Sequence, residues 1–350
     1  MNNKTPIHDK ADILQFFQEA SVPKKELLIG LEVERSGVYS KDLSPVRYSG
    51  DSGYLAILKK LVEEVGWKII SQDENGNITA LKRGGSEIHT EDDGRLELVS
   101  KPRKGLYSLC REYEMHTREI DDISKEFGVR WLSMGTHPFA KKNDINYAFP
   151  DNAKKFHDHY GNYYPGWGKN AHIGIEKKNN GVHVNFGYSS EKDAIEKFQT
   201  LLKVSPILMA MFANSPINVN KFSGFLINRS RNISRCHPDK NNLQKIFFEP
   251  NFNFEKWVNF LLKLPMSQIR REKKGIFIPL SFHDFLKNGF GKYKPRMEDF
   301  YIHIKTIRGE LRLKHYLEYR SIDCVPPHLI PSVPAIIRAI TLNAEVMKEC

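Results

Sequence analysis

Glu310-Leu-Arg-Leu-Lys-His-Tyr-Leu-Glu-Tyr-Arg320 is the stretch from which the fold can be read. A β-strand turns successive side chains to opposite faces. On that period Leu311, Leu313, His315, Leu317 and Tyr319 share one side, and Arg312, Lys314, Tyr316, Glu318 and Arg320 share the other with Glu310. Three cations and two carboxylates on one face of one strand suit a wall that meets a polyanion together with a metal ion. An edge strand with solvated charges is the plainer alternative. It does not explain why three other segments have the same habit.

In Gly30-Leu-Glu-Val-Glu-Arg35, Glu32 and Glu34 lie opposite Leu31 and Val33. Carboxylates two residues apart on a strand sit roughly 6.6 Å from each other, so their arms can converge on one hard cation or serve two. In Ile88-His-Thr-Glu-Asp-Asp-Gly-Arg-Leu-Glu-Leu98, a turn at Asp92-Asp93-Gly94 leads into a strand with Arg95 and Glu97 opposite Leu96 and Leu98. In Gly181-Val-His-Val-Asn-Phe-Gly-Tyr188, His183 and Asn185 oppose Val182, Val184 and Phe186. Four strands, each apolar on one side, predict an α+β fold: a curved antiparallel sheet with a polar concave face and helices packed on its outer, apolar face. Helices are expected near 11–19, 53–65, 106–127, 191–203 and 254–262, the fourth capped by Ser190 with Asp193 completing a capping box.

The chain has 350 residues, 40% of them hydrophobic, and no internal stretch has the composition of a linker. One catalytic domain over 1–350 is therefore expected. The N-terminus has no apolar signal region, and the longest apolar run, Pro206 to Ala213, is too short to span a bilayer. These features lead to the expectation of a cytoplasmic protein. The four cysteines, Cys110, Cys236, Cys324 and Cys350, show no metal-binding spacing and are expected as free thiols.

The formal net charge is +11. Its basic clusters lack the interleaved aromatics of a nucleic-acid module, so the field is better suited to drawing in small anions. There is no GxxxxGK[ST] loop, no GxGxxG and no GxSxG elbow. His157-Asp-His159, with His172 and His183, has the donors for a transition metal, but a solvated loop accounts for the pair as well.

In this setting the chain resembles the glutamate–cysteine ligases of the plant and proteobacterial type. Gly30 to Arg35 is similar to that family's Gly-Thr-Glu-His-Glu-Lys, and Pro45-Val-Arg-Tyr48 to its Arg-Pro-x-Tyr. Ile88 to Leu98 places Glu91 and Glu97 on the family's two glutamates. Val182 to Asn185, Ala213 to Pro216, Gly224 to Leu226 with Arg229, and Leu264 to Met266 recur in order. Leu311 to Arg320 with Asp323 resembles Val-Arg-Leu-Lys-Arg-Tyr-Leu-Glu-Met-Arg-Gly-Ala-Asp. The resemblance implies a fold akin to the glutamine synthetase catalytic domain, a funnel-shaped sheet. It implies ATP and Mg²⁺, and attack of the cysteine amine on a γ-glutamyl phosphate.

On that basis Glu32, Glu34, Glu91 and Glu97 are the expected Mg²⁺ ligands, and Arg312, Lys314, Glu318 and Arg320 the expected catalytic set. Asn185, His183, Arg229, Tyr48 and His137 are the expected substrate and nucleotide contacts. The chain departs from the family at Gly135-Thr-His-Pro138 and across Phe149 to Pro165. It also ends before the family's usual C-terminal extension. The same chemistry with another amine, or a non-catalytic nucleotide-binding homologue, are the alternatives. The expected partners are small molecules, without nucleic acid or membrane.

Overall fold

The computed structural model describes residues 4–73, 75–91, 95–141, 144, 178–235, 238–272 and 274–350. The expected turn at 92–94, the histidines at 157, 159 and 172, the 149–165 segment and Cys236 lie outside the described residues. Cys110, Cys324 and Cys350 are free.

Nine strands form the main sheet: β1 (Ile29–Tyr39), β2 (Lys68–Gln72), β3 (Ile78–Arg83), β4 (Ser86–Thr90), β5 (Leu96–Val99), β6 (Val129–Leu132), β7 (Gly181–Phe186) and, near the C-terminus, β12 (Leu311–Leu313) and β13 (Leu317–Asp323). Two small hairpins, β8 (Ile217–Asn218) with β9 (Lys221–Phe222) and β10 (Gln268–Arg271) with β11 (Lys274–Phe277), stand apart from it. The sheet order is β12-β13-β7-β1-β5-β4-β3-β2, antiparallel throughout, with β6 pairing the second half of β1. β1 is the axis: Ile29 to Val33 pair with β7, Glu32 to Arg35 with β5, and Ser36 to Tyr39 with β6. The sheet is open, with β12 and β2 at its two edges.

The stretch 310–320 differs from the single strand expected. It folds into a tight hairpin, β12–β13, in which the Lys314 N–H donates to the Tyr316 carbonyl at 2.7 Å. The facing survives because Arg312 stands directly across from Glu318, and paired residues of antiparallel strands share a face. His315 falls at the tip and is exposed instead of joining the apolar side.

Leu31, Val33, Leu96, Leu98, Val182, Val184, Leu311 and Tyr319 enter one core with side chains from helices over that face. Leu106–Glu126 packs on β1 and β6, Glu191–Met211 on β12 and β13, Ser332–Leu342 on β1 and β7, and Tyr54–Lys60 on β3. Burial of large apolar side chains on this face contributes about 1.5–3 kcal/mol each, which is why the opposite face can carry charge.

Ser190 caps its helix as expected, accepting from the Asp193 N–H at 3.1 Å, but Asp193 returns its carboxylate to the Ser189 N–H at 2.7 Å. That helix runs past the expected end to Met211 despite Pro206. Burial of Leu201, Leu202, Ser205 and Leu208 holds it on the sheet. Tyr54–Lys60 continues into one wide turn over Leu61–Val65, ended by Gly66 in the left-handed conformation at φ 84.

Candidate active site

The strand register assembles the polar face in three rows. Arg312, Glu318 and Asn185 stand side by side on β12, β13 and β7. Next come His183 and Glu32 on β7 and β1, then Glu34, Glu97 and His89 on β1, β5 and β4. Arg312, His183, Glu32, Glu34, Glu97 and His89 line a cavity of about 360 Å³, whereas Glu318 and Asn185 are not among the residues that line it.

Glu318 is the centre of the first row and is wholly buried. Arg312 Nε donates to its Oε2 at 3.0 Å and Arg312 Nη2 to Oε1 at 2.6 Å, while Lys314 and Arg320 pair with the same carboxylate. Burial alone would raise the Glu318 carboxyl, but the charges of Arg312, Lys314 and Arg320 overcome it and hold the group well below the ordinary carboxylate range. Lys314, also buried, is drawn down to about 8 by desolvation, against the pull of Glu318.

Arg312 has no capacity left for a ligand. Its Nη1 donates to the carbonyls of Lys305 at 2.6 Å and Ile307 at 2.9 Å, and its Nε and Nη2 go to Glu318. Arg312, expected in the catalytic set, instead ties the hairpin to the end of the helix Met297–Lys305.

Glu32 accepts from Asn185 Nδ2 at 2.6 Å and lies 3.2 Å from His183 Nδ1. Burial and the Glu318 charge oppose its ionisation, but the His183 bond and the Lys314 charge prevail and lower it. Glu34 accepts the Gly181 N–H at 2.7 Å and faces Arg95 at 3.4 Å. Burial works against its ionisation too, yet Arg95, His183 and Arg229 bring it down to about 2. Glu97 is pushed the other way: burial, then the charges of Glu32, Glu91 and Glu34, raise it well above the ordinary value. Glu91 lies at the rim, 3.8 Å from Arg95 Nη2.

Two overlapping sets of ligand atoms, Glu32/His183/Glu318 and Glu34/Glu97/His183, have all their members within 4.8 Å of one another. Hard carboxylate oxygens, with Glu97 crowded by negative neighbours, fit a magnesium-type cation, whose charge would relieve that crowding.

Arg229 is 2% exposed, with Nη1 on the Arg320 carbonyl at 2.9 Å and Nη2 3.3 Å from His183 Nε2. It sits over Gly181, where a Cβ would come within 2.3 Å of Arg229 Nη2 and 2.9 Å of His183 Nε2. Gly181→Ala must therefore displace both side chains. We expect kcat to fall about 100-fold, the scale of an ångström-sized misplacement, with an overpacking cost of about 1–3 kcal/mol in stability. Unaltered ADP release would show that this packing does not set the site's geometry.

Two expected contacts lie elsewhere. The Tyr48 hydroxyl donates to the Ile78 carbonyl at 2.6 Å inside the core. His137 is buried, its Nδ1 accepting from the Phe139 and Ala140 N–H groups at 3.3 and 3.2 Å. Each ring has an apolar body that packing uses and a polar atom the main chain satisfies, so neither joins the cavity. His89, Lys305 and Arg308 line the cavity without having been anticipated. For His89 a signal existed, since it alternates in phase with Glu87 and Glu91.

A sheet face of opposed carboxylates and cations over a helix-covered core is the setting in which known proteins can be compared. The chain belongs to glutamate-cysteine ligase family 2, whose model matches residues 28–348. Membership makes it an ATP-dependent ligase. It is 32% identical over 346 residues to the chloroplastic glutamate–cysteine ligase B of Oryza sativa subsp. japonica, covering 97% of this chain and 67% of that protein. It is 31% identical over 335 residues to the chloroplastic enzyme of Medicago truncatula, covering 93% and 63%. The chain thus spans about two thirds of the length of these curated relatives. Among solved structures, glutamate–cysteine ligase of Francisella tularensis in complex with AMP aligns with a TM-score of 0.48 at 13% identity, over 90% of this chain and 71% of that one. The expected cytoplasmic location is corrected by the plant relatives, which are chloroplastic by name. Among the described residues no helix is long and apolar enough to cross a membrane.

Proposed function

We propose that this chain, acting as one catalytic unit, makes γ-glutamylcysteine through a γ-glutamyl phosphate, with Mg²⁺ held by Glu32, Glu34, Glu91 and Glu97. The observation that carries the reading is the meeting, in one cavity, of Glu32, Glu34 and Glu97 with Arg320 and Lys314. A carboxylate is a poor electrophile, and transfer of the ATP γ-phosphoryl group to the glutamate side chain makes it a good one. Attack by the cysteine amine then expels phosphate. Mg²⁺ held by these carboxylates would supply neutralisation of the phosphate charge.

Arg320 has one terminal nitrogen on Glu318, while its Nε has no partner among the described residues. Arg320 lines the cavity, and its positive charge can act on the developing charge of the transferring group and of the tetrahedral adduct. Lys314 adds positive charge at the same wall. Glu318 holds these cations in place without neutralising the cavity beyond them. Asn185 fixes Glu32 through its amide nitrogen. Arg229, both of whose terminal nitrogens are engaged, positions His183 and the Arg320 main chain.

The test is ADP release by the purified protein with ATP, Mg²⁺ and glutamate, screened against single amino acids. Cysteine-dependent release with a product of γ-glutamylcysteine mass is the expected result. Release with another amine alone would move the acceptor. Nucleotide binding without release under any condition would leave a binding homologue.

A further inference from the structure

An ATP-binding ligase must supply positive charge to a triphosphate, and most cations lining this cavity are already committed. Arg312 gives every N–H group to Glu318, Lys305 O and Ile307 O. Lys314 and Arg320 are paired to Glu318. Arg95 faces Glu34 and Glu91 and donates to the Asn179 carbonyl. Arg229 is enclosed behind His183, and Arg308 is engaged within the protein.

Lys305 differs. It is exposed, lines the cavity, and has no ion pair among the described residues; its Nζ lies 4.9 Å from the centre of the Tyr301 ring. It is also the last residue of the helix Met297–Lys305, and Arg312 grips its carbonyl. The buried Arg312–Glu318 pair thus fixes where the Lys305 side chain leaves the main chain, while the ammonium group stays uncommitted. A cation at a helix C-terminus is also favoured by the helix dipole, so the residue is stable there with its charge unspent.

We propose that Lys305 binds the polyphosphate of ATP, with Arg312 as the residue that positions it. The inference rests on the ATP-dependent ligase reading above. Lys305 supplies a point charge with three donors, a form of phosphate recognition that needs no fixed fork.

The experiment is steady-state kinetics of ligation for Lys305→Ala and Lys305→Arg, varying ATP and glutamate separately, with ADP binding followed by calorimetry. Lys305→Ala should raise the KM for ATP and the Kd for ADP about tenfold, the scale of one charge-assisted hydrogen bond. The KM for glutamate and kcat should stay close to wild type, and Lys305→Arg should recover most of the nucleotide affinity. The carbonyl that Arg312 holds is unchanged by either substitution, so folding is not at stake. An unchanged KM for ATP in Lys305→Ala would overturn the proposal. A rise confined to glutamate would overturn it equally, assigning the lysine to the substrate carboxylate. Absence of ATP-dependent ligation in the wild-type protein would refute the underlying reading, and is seen before any variant is made.

Discussion

Glu318→Gln is expected to lose ligation altogether and to unfold at clearly lower denaturant than the wild type. The substitution keeps the shape of the side chain and removes one charge. Arg312, Lys314 and Arg320 all pair with that carboxylate, which is wholly buried. Removing one member of a buried ionic set leaves the others desolvated and uncompensated, at a cost of about 3–5 kcal/mol. Urea denaturation measures it directly. An unchanged midpoint would mean that the three cations relax outward into the cavity and find water. In the expected outcome the contact of Arg312 with the Lys305 carbonyl is loosened too, so a drop in nucleotide affinity should accompany the loss of stability.

Glu97→Gln is expected to have the opposite balance, with turnover lowered by about 100- to 1000-fold, the scale of one electrostatic catalytic contact, and the metal-free protein made more stable near pH 8. Burial and the charges of Glu32, Glu91 and Glu34 raise the Glu97 carboxyl well above its ordinary value. A raised folded value means that the folded chain keeps this proton where the unfolded chain has released it. The associated stability is fully present below the unfolded value and is lost as pH rises through the folded one. Glutamine imitates the protonated form at every pH, so it removes that loss. Thermal melts of metal-free wild type and variant between pH 5 and pH 9 should converge at the acid end and separate toward the alkaline end. Parallel melts at all pH values would show that Glu97 is not held in its acid form by its neighbours.

The faces of the strands were legible because alternation survives folding: Glu32 against Leu31, His183 against Val182, and Arg95 with Glu97 against Leu96 and Leu98. Hydrophobic burial enforces that alternation and a short sequence displays it. The hairpin at Lys314-His-Tyr316 was not legible, since none of the three residues is a glycine, proline or asparagine of the usual turn chemistry. Arg312 shows a different limit. Its side of the strand could be read, but whether its donors face a ligand or the end of the helix Met297–Lys305 depends on where that helix stops. Tyr48 and His137 resemble functional residues by type and context, and only their main-chain partners, Ile78 and the Phe139–Ala140 turn, place them in the core. Lys305 ends a helix and Arg308 lies on the connection after it, where periodicity carries little information about direction.

The order of the strands has a consequence for how this protein acquires its activity. β2 to β5 follow one another in the chain and pair as neighbours, so they can form early with little loop closure. The bond between Glu32 and His183 joins residues 151 positions apart, and Glu318 meets Arg312 only 6 positions away. Long closures are entropically costly and slow. The two walls of the cavity are therefore expected to be made separately, a meander on one side and a late hairpin on the other, and to be joined last through β7. During synthesis the chain would hold the carboxylate wall without its cationic counterpart until the strands β12 and β13 emerge, and competence should appear in a single late step.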